Sequence, residues 1–181
     1  MTINTGDVII FCMDLIVVLN NIRSCYNVGA ILRTVEGFGL RKVILSGYTP
    51  RIDDDRVLPH LREKLNREIH KTALGAEEML KLEVSDDIIE TLDTYKTDGW
   101  QIVGLENNIK DGRLVKLGSS KCKSNLSEKI VLILGEEVTG IDKSLYELID
   151  VFIEIPMKGR KESFNVSVAA GIALFGILER N

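Results

Sequence analysis

The sequence predicts an α/β fold built on a parallel β-sheet. Short β-branched runs alternate along the chain with stretches whose apolar residues recur at helical spacing, and this alternation is typical of βα units. Five apolar runs are the predicted strands: residues 15–19, 42–46, 101–105, 130–134 and 151–155. Only three prolines occur and no internal repeat interrupts the pattern, so the sequence indicates no linker between domains.

Composition and charge narrow the class of protein. With 181 residues, 45% of them hydrophobic and 28% charged, the chain suits one compact domain. Lys and Arg number 23 and Asp and Glu number 27, which gives a net charge of −4 and excludes a protein whose whole surface attracts polyanions. Nucleic acid would therefore have to bind a local basic patch. The three cysteines and two histidines lack the spacing of metal ligands, so we expect no metal site.

The beginning of the chain shows no membrane segment or signal peptide. Its longest apolar run, residues 8–13, is far shorter than the roughly 20 residues that cross a bilayer. No basic residue precedes Arg23, so the charged start of a signal peptide is missing. We interpret residues 1–12 as an N-terminal extension, either disordered or the product of a misplaced start, ahead of a single domain at residues 13–181. We expect a cytoplasmic protein with no membrane partner.

Four further segments show helical periodicity: residues 28–38, 88–95, 141–149 and 164–179. Ser85 is the predicted N-cap of the second of them, because acidic residues follow it in the first turn. The last segment is apolar nearly all round, so it must be buried on more than one side. A central position in the core and a position at a subunit interface both satisfy this requirement.

A possible basic stripe lies on a predicted helix at residues 58–73. Its polar members share one side of the apolar face: His60, Lys64, Arg67 and Lys71. Between residues 56 and 71, five Lys or Arg stand against two Glu, and such a stripe can meet RNA phosphates. A solvated helix face is the more common source of this pattern, so both interpretations stay open.

Two glycine patterns resemble nucleotide-binding loops and are rejected. Gly37 and Gly39 lack the third glycine of the dinucleotide fingerprint and follow a helix instead of opening one. Gly135 and Gly140 have the spacing of a P-loop, but isoleucine and aspartate stand where lysine and serine or threonine are required. The chain is therefore predicted to bind neither NAD nor ATP through these loops.

Three loops follow predicted strands and should meet at the carboxyl edge of the sheet: residues 104–107, 135–140 and 155–163. Open α/β sheets bind ligands at this edge, so a crevice for a neutral or cationic small molecule is predicted here. Ser163 or Asn165 could act in that crevice or merely cap the last helix. Arg33 could anchor an anionic substrate or pair with Glu36.

Three segments together resemble a known family. Asn27 to Thr34 reads NVGAILRT, Leu134 to Gly140 reads LGEEVTG, and the IPM that begins at Ile155 leads to SFNVSVAA from Ser163. In this order and at these separations they resemble the SpoU/TrmH-type RNA ribose 2′-O-methyltransferases of the SPOUT superfamily. The match covers nearly the whole chain after Met13. Phe164 departs slightly from the pattern, since leucine is more common there.

The resemblance implies an α/β SPOUT fold with a deep trefoil knot near the carboxyl terminus, a homodimer, and S-adenosylmethionine as cofactor. It implies that the cofactor pocket is lined by Leu105, Gly135, Ile155, Ser163 and Phe164. Such an enzyme transfers a methyl group to a ribose 2′-hydroxyl of RNA, with tRNA favoured over rRNA.

The resemblance also implies a set of catalytic residues: Asn27, Arg33, Glu137, Ser163 and Asn165. Arg33 would grip the RNA phosphate and ribose, because a guanidinium holds its proton too tightly to act as a free base. The basic stripe would add RNA contacts. The alternative is an RNA-binding protein that keeps the fold and lacks catalysis, and the presence of all five residues argues against it.

Overall fold

Within residues 13–179, a seven-stranded sheet in which every neighbouring pair is parallel forms the centre of the molecule, so the predicted α/β class with a parallel sheet is confirmed. The computed structural model describes residues 13–179. The strands are β1 Asp14–Asn20, β2 Lys42–Ser46, β3 Lys81–Ser85, β4 Gln101–Leu105, β5 Leu114–Lys116, β6 Lys129–Leu134 and β7 Val151–Glu154. Their order across the sheet is β3-β2-β1-β6-β4-β7-β5.

All five predicted strands form, and two further strands were missed. The missed strands, β3 and β5, are the two edges of the sheet. An edge strand pairs on one side only and keeps more of its side chains in water, so it need not be an apolar run. The sequence of β3, KLEVS, and the three residues of β5, LVK, fit this description.

In the part of the chain that the structure describes, six helices accompany the strands: α1 Cys25–Gly37, α2 Pro59–Ala73, α3 Ala76–Met79, α4 Ile88–Thr97, α5 Ser120–Asn125 and α6 Val166–Leu178. The prediction that Ser85 caps α4 was wrong, because Ser85 ends β3. Asp87 is the cap, and its carboxylate accepts hydrogen bonds from the amides of Ile89 at 3.0 Å and Glu90 at 3.1 Å.

The helix expected at residues 141–149 is also absent. Only a 3-10 turn at Lys143–Leu145 forms there. The guanidinium of Arg113 donates hydrogen bonds to the backbone carbonyls of Tyr146 at 2.8 Å and Ile149 at 2.6 Å. Hydrogen bonds between residues three apart replace the α-helical pattern, from the amide of Leu145 to Asp142 and from the amide of Tyr146 to Lys143. The apolar periodicity of the segment is satisfied by packing against the sheet.

Side chains from both faces of the sheet build two apolar layers. Helices α1, α2 and α6 cover one face, and α4 with the 141–149 segment covers the other. Helix α6 buries Ala170, Leu174 and Ile177 against the first layer, but Val168 is 50% exposed and Phe175 is 60% exposed. Residues 13–179 thus cover the helix that is apolar all round on one side only, and it is not a central core helix.

The N-terminal extension that was predicted for residues 1–12 lies outside the described residues. Among residues 13–179, no helix combines the length and the apolar composition needed to span a membrane.

A carboxylate in the loop between β2 and α2, that of Asp54, should make the stability of the protein depend on pH in the acidic range. Hydrogen bonds from Arg56 are the main reason that the pKa of Asp54 is lowered to about 2, against an unfolded value of about 3.9. A carboxyl whose pKa is lower in the folded state stabilises the fold above the unfolded pKa, and this contribution is lost as the pH falls through the folded pKa. We therefore expect Asp54→Asn to lower the melting temperature at pH 6, and the difference from wild type to shrink steadily from pH 4 towards pH 2. A difference that stays constant over this range would assign the effect to packing instead.

Candidate active site

A pocket opens at the carboxyl edge of the sheet, where the loops after β6, β4 and β7 meet. It encloses about 650 Å³, part of which is open to solvent. The three strands are neighbours in the sheet, so their loops come together although they are far apart in sequence. The five residues that the resemblance assigned to a cofactor all lie in its lining: Leu105, Gly135, Ile155, Ser163 and Phe164.

The loop after β6 is a tight turn with no room for side chains at its base. Glu136 and Gly140 exchange two backbone hydrogen bonds, each 3.0 Å long. A Cβ atom at position 135 would lie 2.4 Å from the carbonyl carbon of Gly140 and equally close to the amide nitrogen of Ile141. Gly135 is therefore required by the close approach of two backbone segments, and this approach exposes backbone groups to the pocket.

Glu106 supports this turn from the loop after β4. Its carboxylate accepts a 2.8 Å hydrogen bond from the amide of Ile141 and a 3.2 Å hydrogen bond from the amide of Asn107. Burial raises the pKa of Glu106, and the two amides oppose that effect. The carboxylate also lies in the pocket lining, so it places acidic character beside any ligand.

Asn107 joins the loop after β4 to the loop after β7. Its side chain donates to the carbonyls of Ile155 at 3.0 Å and Glu162 at 3.3 Å, and it accepts from the amide of Ile155 at 3.0 Å. The sequence prediction included Glu106 and Asn107 in a ligand loop but assigned neither a role. A usable signal was present, because both are polar and directly follow a buried strand at the ligand edge.

A chain of hydrogen bonds connects the three family motifs. The amide nitrogen of the Asn27 side chain donates to Glu137 at 2.9 Å. The side chain of Asn165 donates to the carbonyl oxygen of Asn27 at 3.2 Å. The backbone amides of Arg23 and Ser24 donate to Glu137 at 3.2 and 3.4 Å. Residues separated by more than a hundred positions thus form one cluster at the edge of the pocket.

The charge of Glu137 is stabilised within this cluster. Partial burial would raise its pKa, but the hydrogen bond from Asn27 and the surrounding backbone amides outweigh burial and lower it. Glu137 therefore stays a carboxylate at neutral pH and acts as an acceptor. These hydrogen bonds to Glu137 hold the start of α1 against the loop after β6.

The two polar candidates at the start of α6 differ in position. Asn165 is the N-cap, since its side-chain oxygen accepts from the amide of Ser167 at 3.0 Å. Its nitrogen meanwhile reaches Asn27, so capping and participation in the cluster are compatible. Ser163 is exposed, lies in the pocket lining and is not the cap.

Arg33 does not line this pocket. It lies on the exposed side of α1, and no hydrogen bond or ion pair links its side chain to another residue in the range 13–179. The alternative pairing with Glu36 is therefore not formed. The four residues of the basic stripe are exposed on α2: His60, Lys64, Arg67 and Lys71. Lys64 approaches Glu68 at 3.9 Å.

Arg23 is a site residue that sequence analysis did not identify. Its guanidinium pairs with Glu136, whose carboxylate is buried in the pocket lining and also accepts from the hydroxyl of Thr139. Tyr48 and then Glu136 raise the pKa of Arg23. No local pattern marks this arginine, because its partners come from loops after two other strands.

Two substitutions at Asn165 should separate its two roles. Asn165→Ala removes the cap, so we expect the free energy of unfolding to fall by about 1 kcal/mol. Asn165→Asp keeps an oxygen for the Ser167 amide but loses the donor to Asn27 and adds a negative charge close to Glu137. We expect the aspartate variant to keep a melting temperature near wild type while the rate of any reaction at this pocket falls. Parallel loss of stability and rate in both variants would restrict Asn165 to capping. Thermal unfolding and turnover measured on the same samples decide between these outcomes.

Comparisons with known proteins agree with this architecture. The model of the SpoU rRNA Methylase family matches residues 14–175. The chain is 33% identical over 162 residues to the 23S rRNA (guanosine-2′-O-)-methyltransferase RlmB of Xylella fastidiosa, covering 89% of this chain and 57% of the relative. The corresponding Coxiella burnetii protein is 31% identical over 163 residues, covering 90% and 57%.

Solved structures show the same fold. The TrmH/SpoU tRNA modifying enzyme of A. aeolicus superposes with a TM-score of 0.72 at 25% identity, over 93% of this chain and 75% of that one. An AdoMet-bound rRNA methyltransferase from Sinorhizobium meliloti superposes with a TM-score of 0.71 at 22% identity, over 92% and 56%. This chain spans little more than half the length of the curated relatives named above. Since the family model covers β1 to most of α6, the chain belongs to the SpoU rRNA Methylase family.

Proposed function

We propose that this protein transfers a methyl group from S-adenosylmethionine to a ribose 2′-hydroxyl of RNA. The observation that carries the proposal is the Glu137, Asn27 and Asn165 cluster, which joins all three family motifs beside one pocket. The named relatives act on guanosine 2′-hydroxyls of 23S rRNA, and one Borreliella burgdorferi relative is a tRNA (guanosine(18)-2′-O)-methyltransferase.

The pocket fits the proposed cofactor in shape and charge. Gly135 leaves a cradle of bare backbone that a Cβ would fill. The carboxylates of Glu106 and Glu137 in the lining favour a cation, and a sulfonium carries one positive charge. When bound, S-adenosylmethionine supplies a methyl group that a nucleophilic oxygen can accept. Leu105, Ile155 and Phe164 would enclose its apolar parts and exclude water.

The polar residues would position the sugar relative to this pocket. Asn27 and Asn165 are held in fixed orientations by their mutual hydrogen bond and by Glu137. Ser163 lies in the lining with a free exposed side and can contact a ribose. Holding two reacting groups in line is a large part of catalysis in a transfer of this kind. These residues need only orient the 2′-hydroxyl, and none has to form a covalent bond.

Arg33 would grip an RNA phosphate next to the target ribose. Its guanidinium is exposed and carries no ion pair within residues 13–179, so it is available for a bidentate contact with phosphate. A guanidinium holds its proton at neutral pH. The proton of the 2′-hydroxyl would therefore pass to a phosphate oxygen or to a relay that the phosphate begins.

We further propose that the protein is a homodimer in which a second copy covers the exposed side of α6. Val168 and Phe175 lie seven residues apart on α6, hence on one face, and both are at least half exposed. The site of a single chain is also incomplete, since Arg33 does not reach its own pocket. A second copy packed on α6 and the adjacent α1 would bring its Arg33 to the pocket and complete the site.

A mixed-dimer experiment tests this arrangement. Arg33→Ala and Ser163→Ala should each be inactive alone. When the two proteins are unfolded, mixed and refolded together, each mixed dimer would contain one intact site, so we expect about one quarter of wild-type activity. No recovery of activity, together with a single-chain mass in solution, would contradict the dimer.

The basic stripe on α2 is the proposed RNA-docking surface. Arg67 and Lys71 are exposed on it and form no ion pair with a residue of the described range. Each phosphate contact contributes about 0.7 to 0.9 to the slope of log affinity against log salt. Replacing Arg67 and Lys71 together by alanine should therefore flatten that slope. If the stripe is only a solvated helix face, the slope should stay unchanged.

We also propose the trefoil knot. Strand β7 lies between β4 and β5, and β6 lies between β1 and β4, although each of these two strands comes later in the chain than both of its neighbours. The chain after β6 returns to pair between β4 and β5, and we propose that it passes through the loop that joins those two strands. Electron density that follows residues 105–165 without a break would test whether this entry closes into a knot.

One assay decides the proposed function. Isothermal titration with S-adenosylmethionine should show binding, and the protein with tritiated cofactor should label bulk bacterial rRNA or bulk tRNA. A 2′-O-methyl group blocks alkaline cleavage, so the label should appear in alkali-resistant dinucleotides. Cofactor binding without labelling of either RNA would favour the RNA-binding protein that lacks catalysis, and label in bases would exclude ribose as the acceptor.

A further inference from the structure

Tyr48 and Arg23 lie close together next to the pocket, and both are more than half exposed. Tyr48 follows β2 and is 53% exposed. The side chain of Arg23, which follows β1, is 63% exposed although its guanidinium pairs with Glu136. More than half of the surface of Tyr48 is therefore open to a ligand.

Both residues sit on turns that are rigidly held. The amide of Tyr48 donates to the side chain of Asn21 at 3.3 Å, and Asn21 has a left-handed backbone with φ of 61°. Below them, the hydroxyl of Thr49 donates to the carbonyl of Leu19 at 2.9 Å and accepts from the amide of Ile22 at 3.1 Å. The backbone of Arg23 is fixed by Glu137. The tyrosine and arginine are thus presented to solvent from a fixed frame.

Their place in the sheet relates them to the pocket. Strand β2 is separated from β6 by β1 alone, and neighbouring strands lie about 4.8 Å apart, so Tyr48 should stand about 10 Å from the turn at Gly135. Arg23 lies between them and touches the pocket lining through Glu136. Tyr48 and Arg23 therefore line the approach to the pocket on the β2 side of the sheet.

We propose that Tyr48 and Arg23 form a binding subsite for an unpaired nucleotide of the RNA substrate. The base stacks on the ring of Tyr48, and the adjoining phosphate binds the exposed donors of Arg23. Recognition of single-stranded RNA commonly combines aromatic stacking with arginine contacts, because every base offers a flat π face. This inference rests on the proposed function and extends it: the target lies in a loop or other unpaired segment, since a base inside a helix could not reach the ring.

Four variants test the subsite, three of them through the KM for RNA and one through the salt dependence of RNA binding. Tyr48→Ala should raise the KM for the labelled rRNA or tRNA between about 5-fold and about 150-fold, the loss expected for one stacked base. Tyr48→Phe keeps the ring and should stay within about 2-fold of wild type. Ile89→Ala, which removes a comparably exposed apolar side chain from α4, is the control and should change nothing. Arg23→Gln should reduce the salt slope of RNA binding by about 0.7, whereas Tyr48→Ala should leave that slope unchanged.

The outcomes separate this inference from the proposed function. A wild-type protein that methylates RNA while Tyr48→Ala keeps its KM overturns the subsite alone. So does a fall in cofactor affinity or melting temperature that parallels the rise in KM, because it would give Tyr48 a structural role. A phenylalanine variant as impaired as the alanine variant would assign the effect to the hydroxyl next to Arg23 and overturn stacking. A wild-type protein that binds the cofactor and methylates neither RNA overturns the proposed function, and the subsite with it.

Discussion

Arg33→Ala should abolish methyl transfer while the affinity for S-adenosylmethionine stays within about 2-fold of wild type. Removal of one hydrogen-bond donor that stabilises developing charge typically lowers kcat by about 10²- to 10³-fold, so we expect a loss of at least this size. Cofactor affinity is expected to be unaffected because Arg33 is proposed to contact an RNA phosphate, not S-adenosylmethionine, and because it is absent from the pocket lining of its own chain. The free energy of unfolding should also be nearly unchanged, since the side chain is exposed and unpaired within residues 13–179.

The measurement is single-turnover methyl transfer together with calorimetric titration of the cofactor. Arg41→Ala is the matched control, because Arg41 is a second exposed arginine, located just before β2. Arg33→Lys keeps the charge but loses the bidentate fork, so it should recover only part of the rate. If cofactor affinity falls as much as the rate, Arg33 has a structural role and the proposed phosphate contact is wrong.

Gly135→Ala should impair cofactor binding and stability together. The added methyl group would lie 2.4 Å from backbone atoms of Gly140 and Ile141, and backbone cannot move aside as a flexible side chain can. Overpacking of this kind costs about 1 to 3 kcal/mol of folding free energy. The turn must open to relieve the contact, and we expect S-adenosylmethionine to bind about 10-fold more weakly or worse.

Gly159→Ala provides the control for this substitution. It adds the same methyl group in another loop next to the pocket, but no atom lies within 4 Å of the added carbon. We expect this variant to match wild type in melting temperature and in cofactor affinity. Wild-type affinity in the Gly135 variant would show that the turn tolerates a side chain, and the proposed backbone cradle would then be wrong.

The buried strands and the loops that follow them could be predicted from the sequence, because their patterns involve residues that are neighbours along the chain. The strands β1, β2, β4, β6 and β7 are apolar because both of their sides are buried, and burial on both sides leaves a continuous β-branched run. The same reasoning placed the ligand loops at Leu105, Gly135 and Ile155, since the carboxyl ends of parallel strands share one edge. The edge strands escaped it because they pair on one side only and need not be apolar runs. The 141–149 segment escaped it because its helix-like apolar spacing is met by turns packed against the sheet.

The sequence by itself determined the fold class, the family motifs and the three loops, because each is written in residues close together along the chain. Only the tertiary structure decided which side chains meet. The contact between Asn27 and Asn165, the pairing of Arg23 with Glu136, and the distance of Arg33 from its own pocket all depend on a strand order that differs from the chain order. Hydrogen bonds and ion pairs act over a few ångströms, and these side chains come that close to one another only after the sheet has formed.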